Sequence, residues 1–490
     1  MLKITNGRVF DPINHIDGVV QDIYLDDGVI IGKCDCDCET YDASGCMVLP
    51  GGIDIHSHIA GEPLPLLRDV GNPLVPTVTR LGEAYSGIGY TLAVNAAMPA
   101  LSARHTIVEE NAVPKLDTLN LTWVGENPVL LALAEHGSDD DLDEYLSWLL
   151  AVSGGWGLKL INPREGQEDG DLPYRKLIDR LLGVARRLKL PHALHLHHPF
   201  LGRPNACEAV VETVRRAEGN RLHLAHLQFY GYRQNEGGHM VSAAEALINM
   251  MNEHKNITCD VGAVVFGAAA GVTADTEFAK KLGKGKQGFQ SALWEADGGF
   301  GVLPLKYNAD NAVGATQFLT GLEMLLLADD PSRIFLTTDH PNGGPFTAYP
   351  YLTRLLMDVD FRTEELKKLH LGALSRSAVP GLRREYSIYE IAQITRSGPA
   401  MALGLSNRGH IGAGATGGVA VYRDRTEKGC VFSAPAAVFR GQTHVLAAAE
   451  RPYDEKRIER LMQDIVSMPV ADAHPGEQFF SEHRVLREEA

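Results

Sequence analysis

VLPGGIDIHSH, Val48–His58, is where the pattern of the chain changes. Upstream of it, LKITNGRVFD (2–11) and QDIYLDDGVIIGKC (21–34) alternate apolar and polar residues around Asn-Gly and Asp-Gly turn signals, which predicts short strands. Downstream, continuous apolar runs take over: TLAVNAA (91–97), LTWVG (121–125), GLKLIN (157–162), HALHLHH (192–198), RLHLAHL (221–227), NITCDVG (256–262) and RIFLTTD (333–339). Between them lie amphipathic stretches with helical spacing, such as EAVVETVRRAEG (208–219) and SAAEALINMMNEH (242–254).

Apolar strands that alternate with helices indicate a parallel sheet covered on both faces. Seven or eight such units over about 350 residues close most economically as an α/β fold of the (β/α)8 TIM-like barrel kind. We place this barrel at residues 51–404. SIYEIAQITRSGPAMALGL (387–405) reads as a helix with a Gly-Pro interruption, after which NRGHIGAGATGGVAVY (407–422) returns to Gly-rich turns and β alternation. Residues 1–50 and 405–450 are therefore expected to combine into one small β-sandwich domain. Residues 451–490 are a charged tail, expected to be helical or to dock on a partner.

The chain has 490 residues, 44% hydrophobic and 22% charged, which is enough for a large barrel and a smaller companion domain. A net charge of −16, from 46 basic and 62 acidic residues, argues against nucleic acid as a partner. No apolar run approaches the length of a membrane span, and the N-terminus lacks a signal-peptide layout, so a cytoplasmic location is expected. The seven cysteines are odd in number and scattered, which fits a reducing compartment. CDCDC (34–38) would put its three thiols on one face of a strand, too regular for tetrahedral ligation, and reads as an edge strand or hairpin.

Chemistry concentrates at the ends of the apolar runs. In DIHSH, His56 and His58 are two apart, and on a strand residues i and i+2 share a side. HALHLHH offers His195, His197 and His198, RLHLAHL offers His223 and His226, and RIFLTTD ends on Asp339. Imidazole and carboxylate gathered at the C-terminal rim of a barrel are the donors that zinc and related divalent ions take. His195 and His223 would sit about 6.6 Å deeper than ligands at the rim, at roughly 3.3 Å per residue. His197 and His226 are therefore chosen as ligands, with His195 and His223 as reserves. Lys159, inside GLKLIN, is an anomaly, because an ammonium in an apolar strand is costly unless paired or chemically changed.

The order H-x-H, Lys, His, His, Asp resembles the binuclear amidohydrolase superfamily. That resemblance implies a carbon dioxide-derived N6-carboxylysine at Lys159 bridging two divalent ions, expected to be zinc. His56, His58 and Asp339 would hold the more buried ion and His197 with His226 the other, while Asp339 would also shuttle the proton. PGGIDIHSHIAG (50–61), HLQFYGY (226–232) and above all LTTDHPNGGPFTAYP (336–350) are similar to the A subunits of formylmethanofuran dehydrogenase and of the formyltransferase/hydrolase complex. The likeness runs from about residue 1 to about 425. It implies release of formate from formylmethanofuran or a bacterial analogue in one-carbon metabolism, with sister subunits of the complex as partners. The readings weighed beside it are formylation in the dehydrogenase complex, a cyclic amidohydrolase of the dihydroorotase or hydantoinase kind, and a metal-free scaffold. One departure stands out: HHPFLG (197–202) has His198, Pro199 and Phe200 where the family has Cys-Asn-Asn after the histidine.

Overall fold

Eight parallel strands form the centre of the protein, in a computed structural model that describes all residues except 36, 62–63, 70–73, 126, 162–172, 205, 274–300, 426–427, 449–451 and 467–490. They are β1 Gly52–Ser57, β2 Tyr90–Pro99, β3 Asp117–Trp123, β4 Gly157–Ile161, β5 Leu194–His197, β6 Leu222–Leu224, β7 Ile257–Asp260 and β8 Ile334–Phe335. Hydrogen bonding follows chain order from β1 to β8. A bridge between Ser57 and His340, with His58 N donating to His340 O at 2.8 Å, brings the last strand back to the first. The result is the expected (β/α)8 barrel. Its strands read as near-continuous apolar runs because the barrel interior covers one face and helices the other.

Helices follow the strands in turn, among them Ala103–Asn111, Asp139–Ser153, Tyr174–Arg187, Ala206–Arg216, Ala244–Glu253 and Ala312–Leu327. Asp139–Ser153 shows how local sequence sets the strand positions. Ser138 and Asp141 form a capping box at its start, and Gly154 ends it in the left-handed region at φ 67°. The chain then turns straight into β4, which carries Lys159.

Two further sheets come from the chain ends. One orders Val29–Ile31, Ile23–Asp26, Leu2–Thr5 and Glu39–Asp42; the other orders Ala437–Phe439, Val419–Arg423, Cys46–Pro50, Arg8–Asp11 and Ile16–Val20. They share one apolar cluster that includes Ile4, Val9, Ile23, Leu25, Val48, Val419 and Val421, so they pack as a sandwich. Cys46–Pro50 belongs to this sandwich and continues through Gly51 into β1. The buried Arg396 guanidinium ties the junction together, donating to Pro50 O at 3.0 Å and to Tyr422 Oη at 3.0 Å. Val445–Leu446 pairs with β3 of the barrel, and the helix Glu455–Val466 lies against the outer helices, with Arg457 bridging to Asp141 at 2.6 Å.

Three expectations are corrected. The Cys34–Cys38 run is no edge strand: 32–35 and 37–38 form the connection before Glu39–Asp42, and Cys36 lies outside the described residues. Cys34 is disulfide-bonded, whereas Cys38, Cys46, Cys207, Cys259 and Cys430 are free thiols. Gly398–Pro399 does not interrupt the helix; Ile388–Ala402 is continuous, with one wide π turn at Gln393–Ser397. Proline removes an N–H from the ladder, and the wide turn just before it absorbs the mismatch. Among the described residues no helix is long and apolar enough to cross a membrane.

Candidate metal centre

The register of the barrel sets the depth of each candidate ligand. Lys159 on β4 pairs with His195 on β5, and His195 pairs with His223 on β6, so these three share one level. Ile161 pairs with His197 one step nearer the C-terminal rim. Lys159 thus begins on the lower level, and its long side chain carries Nζ upward to 3.4 Å from His56 Nε2. His226 lies just beyond the end of β6 in the left-handed region at φ 35°. Gly262 makes room for it, since a Cβ there would sit 2.4 Å from His226 Cβ.

His56 and His58 reach the same pocket by a less regular route. Strict alternation would turn Asp54, His56 and His58 to one side. Instead Asp54 and Ser57 both face outward, to Tyr85 Oη at 2.8 Å each, and the pairing with β2 shifts register between them. This bulge re-aims His56 toward the barrel axis.

All six residues chosen from the sequence, His56, His58, Lys159, His197, His226 and Asp339, line one pocket. His56 Nε2 and His58 Nε2 each lie 3.2 Å from Asp339 Oδ1. His197 Nδ1 and His226 Nε2 face each other at 2.9 Å, and His226 Nδ1 has no hydrogen-bond partner among the described residues. A tetrahedral ion with bonds of about 2.0–2.1 Å has donor-to-donor edges of about 3.3 Å, which the two distances to Asp339 Oδ1 match, and all three donor atoms lie within 4.8 Å of one another. Imidazole and carboxylate donors with these spacings fit a divalent cation.

Burial sets the charge states. It lowers the pKa of His56, against the pull of Asp260 and Asp339, and that of His226, which favours the ring form with a lone pair to offer. Burial alone would raise Asp339, but the His56, His58 and His226 imidazoles hold it well below the usual carboxylate range. Burial pushes the Lys159 ammonium down to about 8, against the opposing pull of Asp339 and Asp260. Lys159 is 1% exposed, so its neutral form is populated near physiological pH.

His195 and His223 do not line the pocket; they lie on the level below. His198 is turned away altogether, with Nε2 2.8 Å from Thr213 Oγ1 on a flanking helix and Nδ1 2.7 Å from Pro199 O. Asp260, at the end of β7, was not singled out from the sequence, nor was His192. The rule that selected Asp339, a carboxylate closing an apolar run, applies equally to Asp260 in NITCDVG. The rest of the pocket wall is largely apolar, with Ile161, Leu201, Phe229, Val272 and Leu305, and polar groups from Tyr307, Gln317 and Asn342.

Known proteins resemble this chain along most of its length. Residues 124–436 match the profile of the amidohydrolase family. The Fhc protein that is the A component of the formyltransferase/hydrolase complex of Methylorubrum extorquens is 36% identical over 95% of the chain and 94% of its own length. Protein FwdA of Methanocaldococcus jannaschii is 34% identical, with 86% of the chain and 82% of that protein covered. The crystal structure of the formyltransferase/hydrolase complex from Methylorubrum extorquens with methylofuran superposes with a TM-score of 0.88, at 35% identity over 94% of both chains.

Proposed function

The chain belongs to the amidohydrolase family, and within it to the family of formyltransferase/hydrolase A subunits; on that premise we propose that it hydrolyses a linear N-formyl amide on a methanofuran-type carrier. The products are formate and the free carrier amine, released in the cytoplasm by a complex with sister subunits. The observation that carries the reading is the convergence of six donor residues from five strand ends on one pocket with an apolar wall.

In this reading His56, His58 and Asp339 would hold one divalent ion and His197 with His226 a second, and Lys159, as its carbamate, would supply oxygen donors to them. Two zinc ions so held would supply Lewis acidity and a nucleophilic water near neutral pH. The remaining work falls to the chain. Lys159, with its pKa lowered to about 8 by burial, offers a neutral amine that carbon dioxide can carboxylate. Asp339 remains ionised and acts as the general base. Its Oδ1 accepts from Asn342 Nδ2 at 3.0 Å and faces the two imidazoles, so Oδ2 takes the proton from water and returns it to the leaving nitrogen. Ile161, Leu201, Phe229, Val272 and Leu305 exclude bulk water and offer a surface for a flat heteroaromatic ring.

We also propose the division into 1–50 with 405–450 as the companion domain, 51–404 as the barrel and 451–490 as the tail. The test of function is to purify the protein with its partners, load it with zinc and bicarbonate, and measure formate released from an N-formyl furfurylamine carrier. Formate release supports the reading. Absence of formate from fully loaded protein, or hydrolysis of dihydroorotate or hydantoin instead, overturns it.

A further inference from the structure

Beneath the six donors lies a second polar layer, completely buried. Asp260 Oδ2 lies 2.8 Å from His56 Nδ1 and 3.2 Å from His223 Nε2, and Thr337 Oγ1 donates to Oδ1 at 2.7 Å. His195 Nε2 faces His56 Nδ1 at 3.3 Å, and its Nδ1 is 3.1 Å from His192 Nε2. His192 Nδ1 lies 2.8 Å from Ala402 O, and His223 Nδ1 lies 2.9 Å from Thr258 Oγ1.

Two groups in this layer can only accept, the Ala402 carbonyl and the Asp260 carboxylate, and they fix the protons shared within it. From the carbonyl end, His192 must carry its proton on Nδ1, which leaves Nε2 bare to accept from His195 Nδ1–H. His195 Nε2 is then bare. From the carboxylate end, His56 must donate from Nδ1 and His223 from Nε2, while His223 Nδ1 accepts from the Thr258 hydroxyl. The two chains meet without conflict, a bare His195 Nε2 beside the Nδ1–H of His56. With Nδ1–H committed to Asp260, Nε2 of His56, the atom that faces Asp339 and Lys159 in the pocket, is the one left to serve an ion.

We infer that Asp260 is a positioning residue for the metal centre: it holds His56 as the Nδ1–H tautomer, aims the ring, and strengthens Nε2 as a donor to a divalent ion. The inference rests on the reading of the pocket as a metal site. Hydrogen bonding from a ligand imidazole to a carboxylate raises the basicity of the ligand and fixes its orientation. A competing use of the same atoms exists, since His56, His195 and Asp260 also bring their donor atoms within 4.8 Å of one another. With Nε2 of His56 already a ligand in the pocket, a buried ion there would strip the ring of both its protons, whereas the hydrogen-bond chain leaves it one, on Nδ1.

Zinc affinity of the chelator-stripped, full-length protein, measured by competition with a chromophoric chelator, tests the assignment. Asp260→Asn keeps an acceptor oxygen and loses the charge; its zinc dissociation constant is expected to rise about 10- to 100-fold. An unchanged constant overturns the inference, as does a third equivalent of zinc in the wild type that Asp260→Asn abolishes. A second readout needs no variant of Asp260. In metal-free protein labelled with 15N-histidine, the His56 ring, assigned by its loss in His56→Gln, is expected to show a protonated Nδ1. A bare Nδ1 overturns the inference. Wild-type protein that binds no zinc at all defeats the metal reading, and the ring spectrum then decides the tautomer assignment by itself.

Discussion

Lys159 and His195 face each other across β4 and β5 on the lower level of the barrel, yet of the two only the lysine ends in the pocket. The difference is reach: four methylenes carry the nitrogen up one level, whereas the imidazole stays where its strand puts it. Lys159→Ala is therefore expected to lose most bound metal while keeping its fold, and a short carboxylic acid in the buffer is expected to restore part of the metal and activity. Metal content by elemental analysis checks the first point, and unchanged content would refute the bridging role.

The pH dependence of assembly follows from the same residue. With its pKa lowered to about 8, the neutral fraction of Lys159 in metal-free protein rises from roughly a tenth at pH 7 to about half at pH 8. At fixed dissolved carbon dioxide, the rate of activation by zinc is expected to rise about fivefold over that unit. A lysine near its ordinary pKa of 10.5 would give a tenfold rise that continues up to pH 10, and rates sampled from pH 7 to 10 separate the two.

His197 and His195 are expected to respond differently to truncation. His197→Ala removes a pocket donor and should cost about one equivalent of metal per chain. His195→Ala disturbs only the layer beneath and should retain both equivalents at reduced affinity. Equal stoichiometric loss in the two variants would contradict the depth assignment.

Gly262→Ala would place a methyl group 2.4 Å from His226 Cβ on a backbone held at φ 65°. Either distortion costs about 1–3 kcal/mol, and relief displaces His226. Weaker zinc binding with a lowered melting temperature is expected; a variant indistinguishable from wild type in both would show that the His226 backbone is freely adjustable.

Glu110, on the helix Ala103–Asn111, is 2% exposed and accepts from Asn120 Nδ2 at 2.6 Å; burial pushes its carboxyl up to about 8. Protonated in the folded chain and ionised in the unfolded one, it lowers stability as pH rises from about 4.5 to about 8. The loss is at most about 5 kcal/mol at 1.36 kcal/mol per unit. Glu110→Gln is expected to flatten this slope, so that the variant gains on the wild type steadily from pH 5 to pH 8. Parallel melting curves across that range would show that Glu110 ionises normally in the fold.

The barrel and its rim were legible in the sequence because period-two alternation and strand-end position carry the same information as the structure. That rule separated His197 from His195 by depth. It worked less directly for His56 and His58, whose shared side depends on a bulge between Asp54 and Ser57 that no local signal marks. Asp260 satisfied the same strand-end rule as Asp339; what the sequence did not show is its pairing with His56, 204 residues away. The cysteine run misled because alternation says nothing about where the chain must go next, and here it has to cross from Val29–Ile31 to Glu39–Asp42, which lie at opposite edges of their sheet.

The bridge between Ser57 and His340 has a mechanical consequence. Every other junction between neighbouring barrel staves is a ladder of several residues or at least a pair, whereas the first and last meet at one rung. His56 and His58 stand on one side of that seam and Asp339 on the other. A cation gripped by all three would be a rivet through the weakest joint of the barrel, so that loading the site and locking the cylinder shut would become one event.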